Sequence, residues 1–272
     1  MTKITIYLFF LMCQLHGAKN WWSHSAHLLP VNKWEVGIFQ PLRYGYSETM
    51  EISCHPILFF IMPNASFKIP HKDIGGWTTA SKHSFVYPTS LLNLLSRGIN
   101  IGGNIASLIP PNLHVPPMIG FSNEWLMSKS STIADITLHG GVDLGIVVGE
   151  LDSRSSIDLP LIYHRMAVYY NTWGIDMGLD IYKQFTNKIG IHSDIDFHFF
   201  PGFEGAYDIE HKFLFIWNNS ERFKIITGYK FIYGQFPHGS ESRFLPYIPL
   251  VESWFPLIEI QFSNTAKKTI KS

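Results

Sequence analysis

The chain has 272 residues, with 21 Lys plus Arg balanced by 21 Asp plus Glu, and 15% of its residues are aromatic. This length suits one all-β domain of barrel size, and the balanced charge offers no basic field of the kind that binds nucleic acid. After the N-terminal segment no apolar stretch reaches the roughly 18–20 residues of a membrane-crossing helix, so any spanning unit has to be a strand.

In chain order, the first element reads as a secretory signal. Lys3 is a minimal positive start, Ile4 to Cys13 form an apolar run, and Gly17-Ala18 offer small residues for cleavage. Met12 before Cys13 argues against a lipid-attachment signal. Cleavage after residue 18 would leave Cys54 as the only thiol, which excludes an intrachain disulfide. The expected organisation is a signal at 1–18, a single barrel domain at 19–262 and a polar tail at 263–272. Trp21-Trp22 reads as an interfacial anchor.

Trp34 to Ile38 reads as a first strand, and Met50 to Met62 with Ala65 to Pro70 as a hairpin around Pro63-Asn64. From 75 to 131 the pattern is irregular. Leu91, Leu92, Leu94 and Leu95 after Pro88 allow a short amphipathic helix, and the pairs Pro110-Pro111 and Pro116-Pro117 favour loops, because proline is poorly tolerated inside a sheet.

From residue 135 onward, period-2 alternation dominates, which puts successive side chains on opposite faces of a sheet. Ile136, Leu138, Val142, Leu144 and Ile146 alternate with Asp135, Thr137, His139 and Asp143. Trp173, Ile175, Met177, Leu179 and Ile181 alternate with Gly174, Asp176, Gly178 and Asp180. After Thr186-Asn187-Lys188, a row of Ile189, Ile191, Ile195, Phe197 and Phe199 opposes His192, Asp194, Asp196 and His198, with Ser193 interrupting the apolar row. Two further strands set Ile209, Phe213 and Phe215 against Asp208, Glu210 and Lys212, then Phe223, Ile225 and Phe231 against Lys224 and Lys230. A closing strand spans Ser253 to Phe262. These runs match the 9–11 or so residues of a tilted transmembrane strand, and short turns at Asn187 and Asn219 alternate with longer loops at 200–205 and 236–249.

In these features the chain, most clearly over 132–262, resembles the broad class of Gram-negative outer-membrane β-barrel proteins. The resemblance implies an all-β, closed antiparallel up-and-down transmembrane barrel with a polar lumen, and the visible strands, plus two or four in the N-terminal half, suggest roughly 10–12 strands. It also implies residence in the cell outer membrane, contact with outer-membrane lipid, and a barrel-assembly machinery as partner during biogenesis. Such barrels usually finish on a terminal aromatic, whereas Phe262 is followed by the polar tail.

The candidate site is the polar row itself. Asp176, Asp180, His192, Asp194, Asp196, His198, Asp208, Glu210, Lys224 and Lys230 are expected to line the lumen, either as facing acidic and basic walls or as an internal salt-bridge network. About 8 strands leave a filled interior and 16 or more an open channel, so an intermediate number points to a filled or partly occluded lumen. Histidine and carboxylate at i, i+2 spacing in 192–198 could ligate a divalent ion. Charge neutralisation is the preferred reading there, with no metal, no cofactor and no catalytic residue assigned. The leading expectation is a passive narrow channel or a structural or binding scaffold. Two alternatives are a rim enzyme acting on lipid, with His139, His192, His198 or His211 as base, and a soluble exported β-barrel binder with the sheet faces reversed.

Overall fold

The computed structural model describes residues 24–38, 40–97, 115–152, 167–201, 206–234, 243–245 and 254–264. The expected signal at 1–18, the Trp21-Trp22 pair, Pro110-Pro111, most of the 236–249 loop and the tail beyond Asn264 lie outside the described residues.

Thirteen strands form one antiparallel sheet among the described residues. They are β1 (Trp34–Gly37), β2 (Leu42–Ser47), β3 (Met50–Cys54), β4 (Asn64–Ile74), β5 (Trp77–Val86), β6 (Met118–Ser130), β7 (Asp135–Val147), β8 (Trp173–Gln184), β9 (Ile189–Phe199), β10 (Tyr207–Ser220), β11 (Phe223–Gly234), β12 (Arg243–Leu245) and β13 (Trp254–Ser263). Each strand from β1 to β11 pairs with the next, β11 pairs with β13, and β13 returns to β1 through Glu35↔Ser263, Val36↔Phe262 and Gly37↔Gln261. The short β12 adds to the end of β11 beyond the reach of β13. The chain is therefore a closed, up-and-down, twelve-stranded antiparallel barrel. Closure removes the unpaired strand edges that an open sheet would expose.

The sheet faces are sorted with charge inside. On β8 and β9 the outward Met177 and Ile195 are 51% and 50% exposed, whereas the inward Asp180 and His192 are 4% and 0% exposed. A soluble barrel has the opposite sorting. The rims also differ. Connections at 48–49, 75–76, 131–134, 185–188 and 221–222 are short, whereas those at 55–63, 87–117, 148–172, 200–206 and 235–253 are long, with only 38–41 short on that side.

Two expectations shift in extent. The first hairpin pairs β3 with β4 as expected, through Glu51↔Lys68 and Ser53↔Ser66, but the strand stops at Cys54 and residues 55–62 turn instead. The stretch 75–131 is more regular than its sequence suggests: β5 and β6 pair over nine consecutive residues. The physical reason is that the outward row of β5 reads Thr79, Ser81, His83 and Phe85, so it lacks the polarity contrast that marks a strand in sequence. The short amphipathic helix expected after Pro88 is α1 (Thr89–Arg97), and a second, α2 (Ala167–Asn171), lies in the loop between β7 and β8.

Among the described residues, packed side chains and a backbone strap narrow both ends of the lumen. At the long-loop rim Leu91 and Leu92 of α1, Ala167 and Val168 of α2, Met62, Val115 and Phe200 form one apolar cluster. A Cβ added at Gly145 would stand 2.5 Å from the Val168 carbonyl oxygen, so α2 lies against the inner face of β7 where only glycine leaves room. At the short-turn rim the segment 24–30 crosses the interior as a strap. Ala26 N–H donates to Ser128 Oγ at 2.8 Å, Leu29 N–H donates to Glu51 Oε2 at 2.8 Å, and Lys68 Nζ donates to the Ser25 carbonyl at 2.8 Å. Ala26 also packs against Ala80 and Leu126. Opposite the strap, Tyr182, Leu214, Ile216 and Ile226 fill the interior with apolar volume.

The seam is pinned from the same rim. The Asn264 side chain accepts from Trp34 N–H at 2.8 Å and donates to the Asn32 carbonyl at 2.8 Å, tying the end of β13 to the start of β1.

Candidate functional site

The strand registers bring the ten sequence-predicted residues onto one face. Asp176 is opposite His198, Asp180 opposite Asp194, His198 opposite Asp208, and Asp196 opposite Glu210. Within this patch His192 Nε2 lies 2.8 Å from Asp180 Oδ1, and His198 Nδ1 lies 2.9 Å from Asp208 Oδ1. Lys230 pairs with Glu210, and Lys224 stands 3.8 Å from Glu35. Asp194 takes Lys212 as its partner. His139 is central: its imidazole approaches Asp196 at 3.1 Å, Glu124 at 3.2 Å and Asp180 at 3.4 Å.

Sequence reasoning missed the other half of the network. Arg43 makes a two-point contact with Glu51, Nε to Oε1 at 2.8 Å and Nη2 to Oε2 at 3.0 Å, and reaches Glu35 at 3.5 Å. Lys82 pairs with Glu124 at 2.9 Å. Arg43, Glu51 and Lys68 are 3% exposed, and a buried charge needs a hydrogen-bonded partner to offset its desolvation. These residues lie on β1 to β6, where the strands are short or their outward rows partly polar. Their sequence signal would have been a charged residue followed two positions on by a small one, in Arg43 and Gly45 and in Glu51 and Ser53. Acids and bases therefore interleave around the wall as a salt-bridge network instead of forming two opposed walls.

A polar cavity of about 430 Å³ remains within this network. Arg43, Glu51, Lys82, Glu124, His139 and Glu210 line its inner part, and Gln40, His55 and Asn64 line it near the long-loop rim above the short strands β1 to β3. His24 reaches the cavity from the strap, its ring centroid 6.3 Å from that of His139. Burial, reinforced by the Lys212 and Lys82 charges, holds the His24 imidazole well below its ordinary pKa, against the opposing pull of Glu124.

Three groups bring ligand-type atoms within 4.8 Å of one another: Glu124, His139 and Asp176; Asp180, His192 and Asp194; and His198, Asp208 and Glu210. Each already includes a carboxylate paired with a lysine, Lys82 on Glu124, Lys212 on Asp194 and Lys230 on Glu210. An ammonium thus occupies the place where a metal cation would find its charge complement.

Comparison with known proteins finds no family model and no curated protein that matches this chain. Its function has to be read from the geometry.

Of the histidines considered as bases, His139, His192 and His198 face inward and are engaged by carboxylates. His211 faces outward, its Nε2 3.2 Å from Ser193 Oγ, and among the described residues no carboxylate or amide is placed to orient its Nδ1.

Proposed function

We propose that this chain is an integral outer-membrane barrel whose lumen is closed at rest. In this reading it serves as a scaffold with a dead-end polar vestibule facing outward, and not as an open pore. The observation that carries the reading is the inverted sorting of the sheet: aliphatic and aromatic side chains stand exposed around the outside, and an ion-pair network fills the inside. Such a surface is costly in water and favourable in hydrocarbon. The contrast of short-turn and long-loop rims supports an orientation with the strap at the periplasmic side.

The strap, the apolar cluster at the opposite rim and the lysine–carboxylate pairs support closure. What remains is a pocket of small-solute size with mixed charge. The test is fractionation followed by gel mobility with and without boiling, then planar-bilayer recording. Expected are retention in the membrane after carbonate wash, a heat-dependent mobility shift, and no steady conductance. Release by carbonate would overturn the membrane reading, and a stable open conductance would overturn closure.

A further inference from the structure

The outward face of β4 to β6 carries polar groups where a lipid-facing wall should be apolar. Ser81 Oγ lies 3.1 Å from His83 Nε2, and His83 Nδ1 lies 2.7 Å from Asn123 Oδ1. A second imidazole approaches from the other side, with His71 Nε2 2.8 Å from the same Ser81 Oγ. The sheet creates this arrangement. Ser81 and His83 are two apart on β5 and so share a face, and the register puts Asn123 directly opposite His83 on β6. Phe67 packs against the His83 ring at 5.0 Å between centroids, and Trp125 stacks on His71 at 4.8 Å.

We propose that Ser81, His83 and Asn123 form a serine hydrolase triad on the outer surface of the barrel, acting on long-chain acyl esters of lipid. The proposal rests on the reading that this surface meets lipid, and it adds an activity that the lumen does not supply. Hydroxyl, imidazole and amide stand in the order that activates a serine. Asn123 Oδ1 accepts from His83 Nδ1–H, fixing the tautomer that leaves Nε2 free to accept the Ser81 proton. A second outward serine–histidine pair, Ser193 with His211, differs: among the described residues no carboxylate or amide orients its ring.

The chemistry closes with water alone. Ser81 Oγ bonds to the ester carbonyl carbon while its proton passes to His83 Nε2. The adduct collapses with cleavage of the carbonyl–alkoxy bond, and the departing alcohol takes that proton. Water then attacks the acyl-serine ester, giving its proton to His83, which returns it to Ser81 as the fatty acid leaves. Ser81 is 8% exposed beneath the two imidazole rings. His71, exposed and beside the register break between His71 and Ile74, is the ring that must yield to admit substrate. Around the cluster, Phe67, Phe85, Phe121 and Trp125 offer an apolar surface for an acyl chain.

The experiment uses the full barrel in detergent, with a long-alkyl fluorophosphonate as covalent probe and a long-chain glycerophospholipid in mixed micelles as substrate. The heat-dependent mobility shift is recorded for every variant, so loss of folding is seen separately from loss of chemistry. Expected are probe attachment at Ser81 and fatty-acid release, both abolished in Ser81→Ala. His83→Gln should slow release by about 10²–10⁴-fold, the usual contribution of a general base. Asn123→Ala should lower kcat with little change in KM, with recovery in Asn123→Asp, a pattern that a purely structural role would not give. Ser193→Ala should match the wild type. A folded wild-type barrel that neither reacts with the probe nor releases fatty acid overturns the triad, as does activity retained in Ser81→Ala. A chain found in the soluble fraction that is still labelled at Ser81 and cleaves a water-soluble short-chain ester keeps the triad and overturns the membrane reading.

Discussion

Ala26 donates its backbone N–H to Ser128 Oγ at 2.8 Å across 102 residues of chain, and Ser128 Oγ shares a second hydrogen bond with Thr137 Oγ1 at 2.7 Å. The contact fastens the strap to the inner wall, because Ser128 and Thr137 face each other on β6 and β7. The strap and the barrel are one packed unit, and in the proposed reading closure of the lumen depends on that docking.

The tightest point of docking is Gly45, where an added Cβ would lie 2.2 Å from the Pro30 carbonyl oxygen, a backbone atom that cannot swing aside. Gly45→Val should therefore displace the strap while leaving the barrel closed. The expected outcome is frequent channel openings in planar bilayers with an unchanged heat-dependent mobility shift. A silent bilayer would show that the strap is not the barrier.

Arg43 is a buried cation of the network, and its two-point contact with Glu51 continues to Glu35. Replacing it with Met leaves the buried Glu51 without its main counter-charge, a change that costs about 3–5 kcal/mol when one partner of a buried pair is removed. Urea unfolding in detergent or lipid should show a midpoint lowered accordingly. Lys129→Met, at an exposed lysine set over the Trp77 ring at 5.7 Å, should move it by about 1 kcal/mol or less.

His24 gives the strap a pH dependence of defined sign. Its pKa in the folded chain is depressed, so the unfolded or released segment binds the proton more readily, and docking strength is full above the ordinary histidine pKa and declines as pH falls through and below it. Protonation adds a cation beside Lys212, Lys82 and His139, with Glu124 the acid that favours it. Openings in bilayers should become more frequent on going from about pH 8 to about pH 5, by a smaller factor in His24→Asn. An identical pH response in the two proteins would assign the effect to other lumen groups.

The outer wall offers a direct discrimination between hydrocarbon and water. Ile195 stands on the outward row of β9 and is 50% exposed. Ile195→Lys should destabilise the lipid-embedded barrel by about 2–4 kcal/mol if the site is near mid-depth, measured by unfolding from vesicles. A change within about 0.5 kcal/mol, typical of an exposed position in water, would oppose the membrane reading.

What the sequence determined by itself was the local sorting of faces. Over β7 to β11 the alternation of apolar with charged or small residues is an i, i+2 property, so a strand and its two surfaces are written into every short window, and the polar row from Asp176 to Lys230 could be named from spacing alone. β5 and β6 escaped for the same reason. Ser81, His83 and Asn123 take the places of outward apolar residues, so the positions proposed to carry chemistry are those that erase the strand signal. Only the tertiary structure decided who meets whom. The seam contact of Gln261 with Glu35 spans 226 residues, the Lys82–Glu124 pair 42 and the His83–Asn123 pair 40, and each depends on strand register and on barrel closure. Neither property is local. A one-residue slip would exchange the faces, and closure fixes a single register around the whole ring.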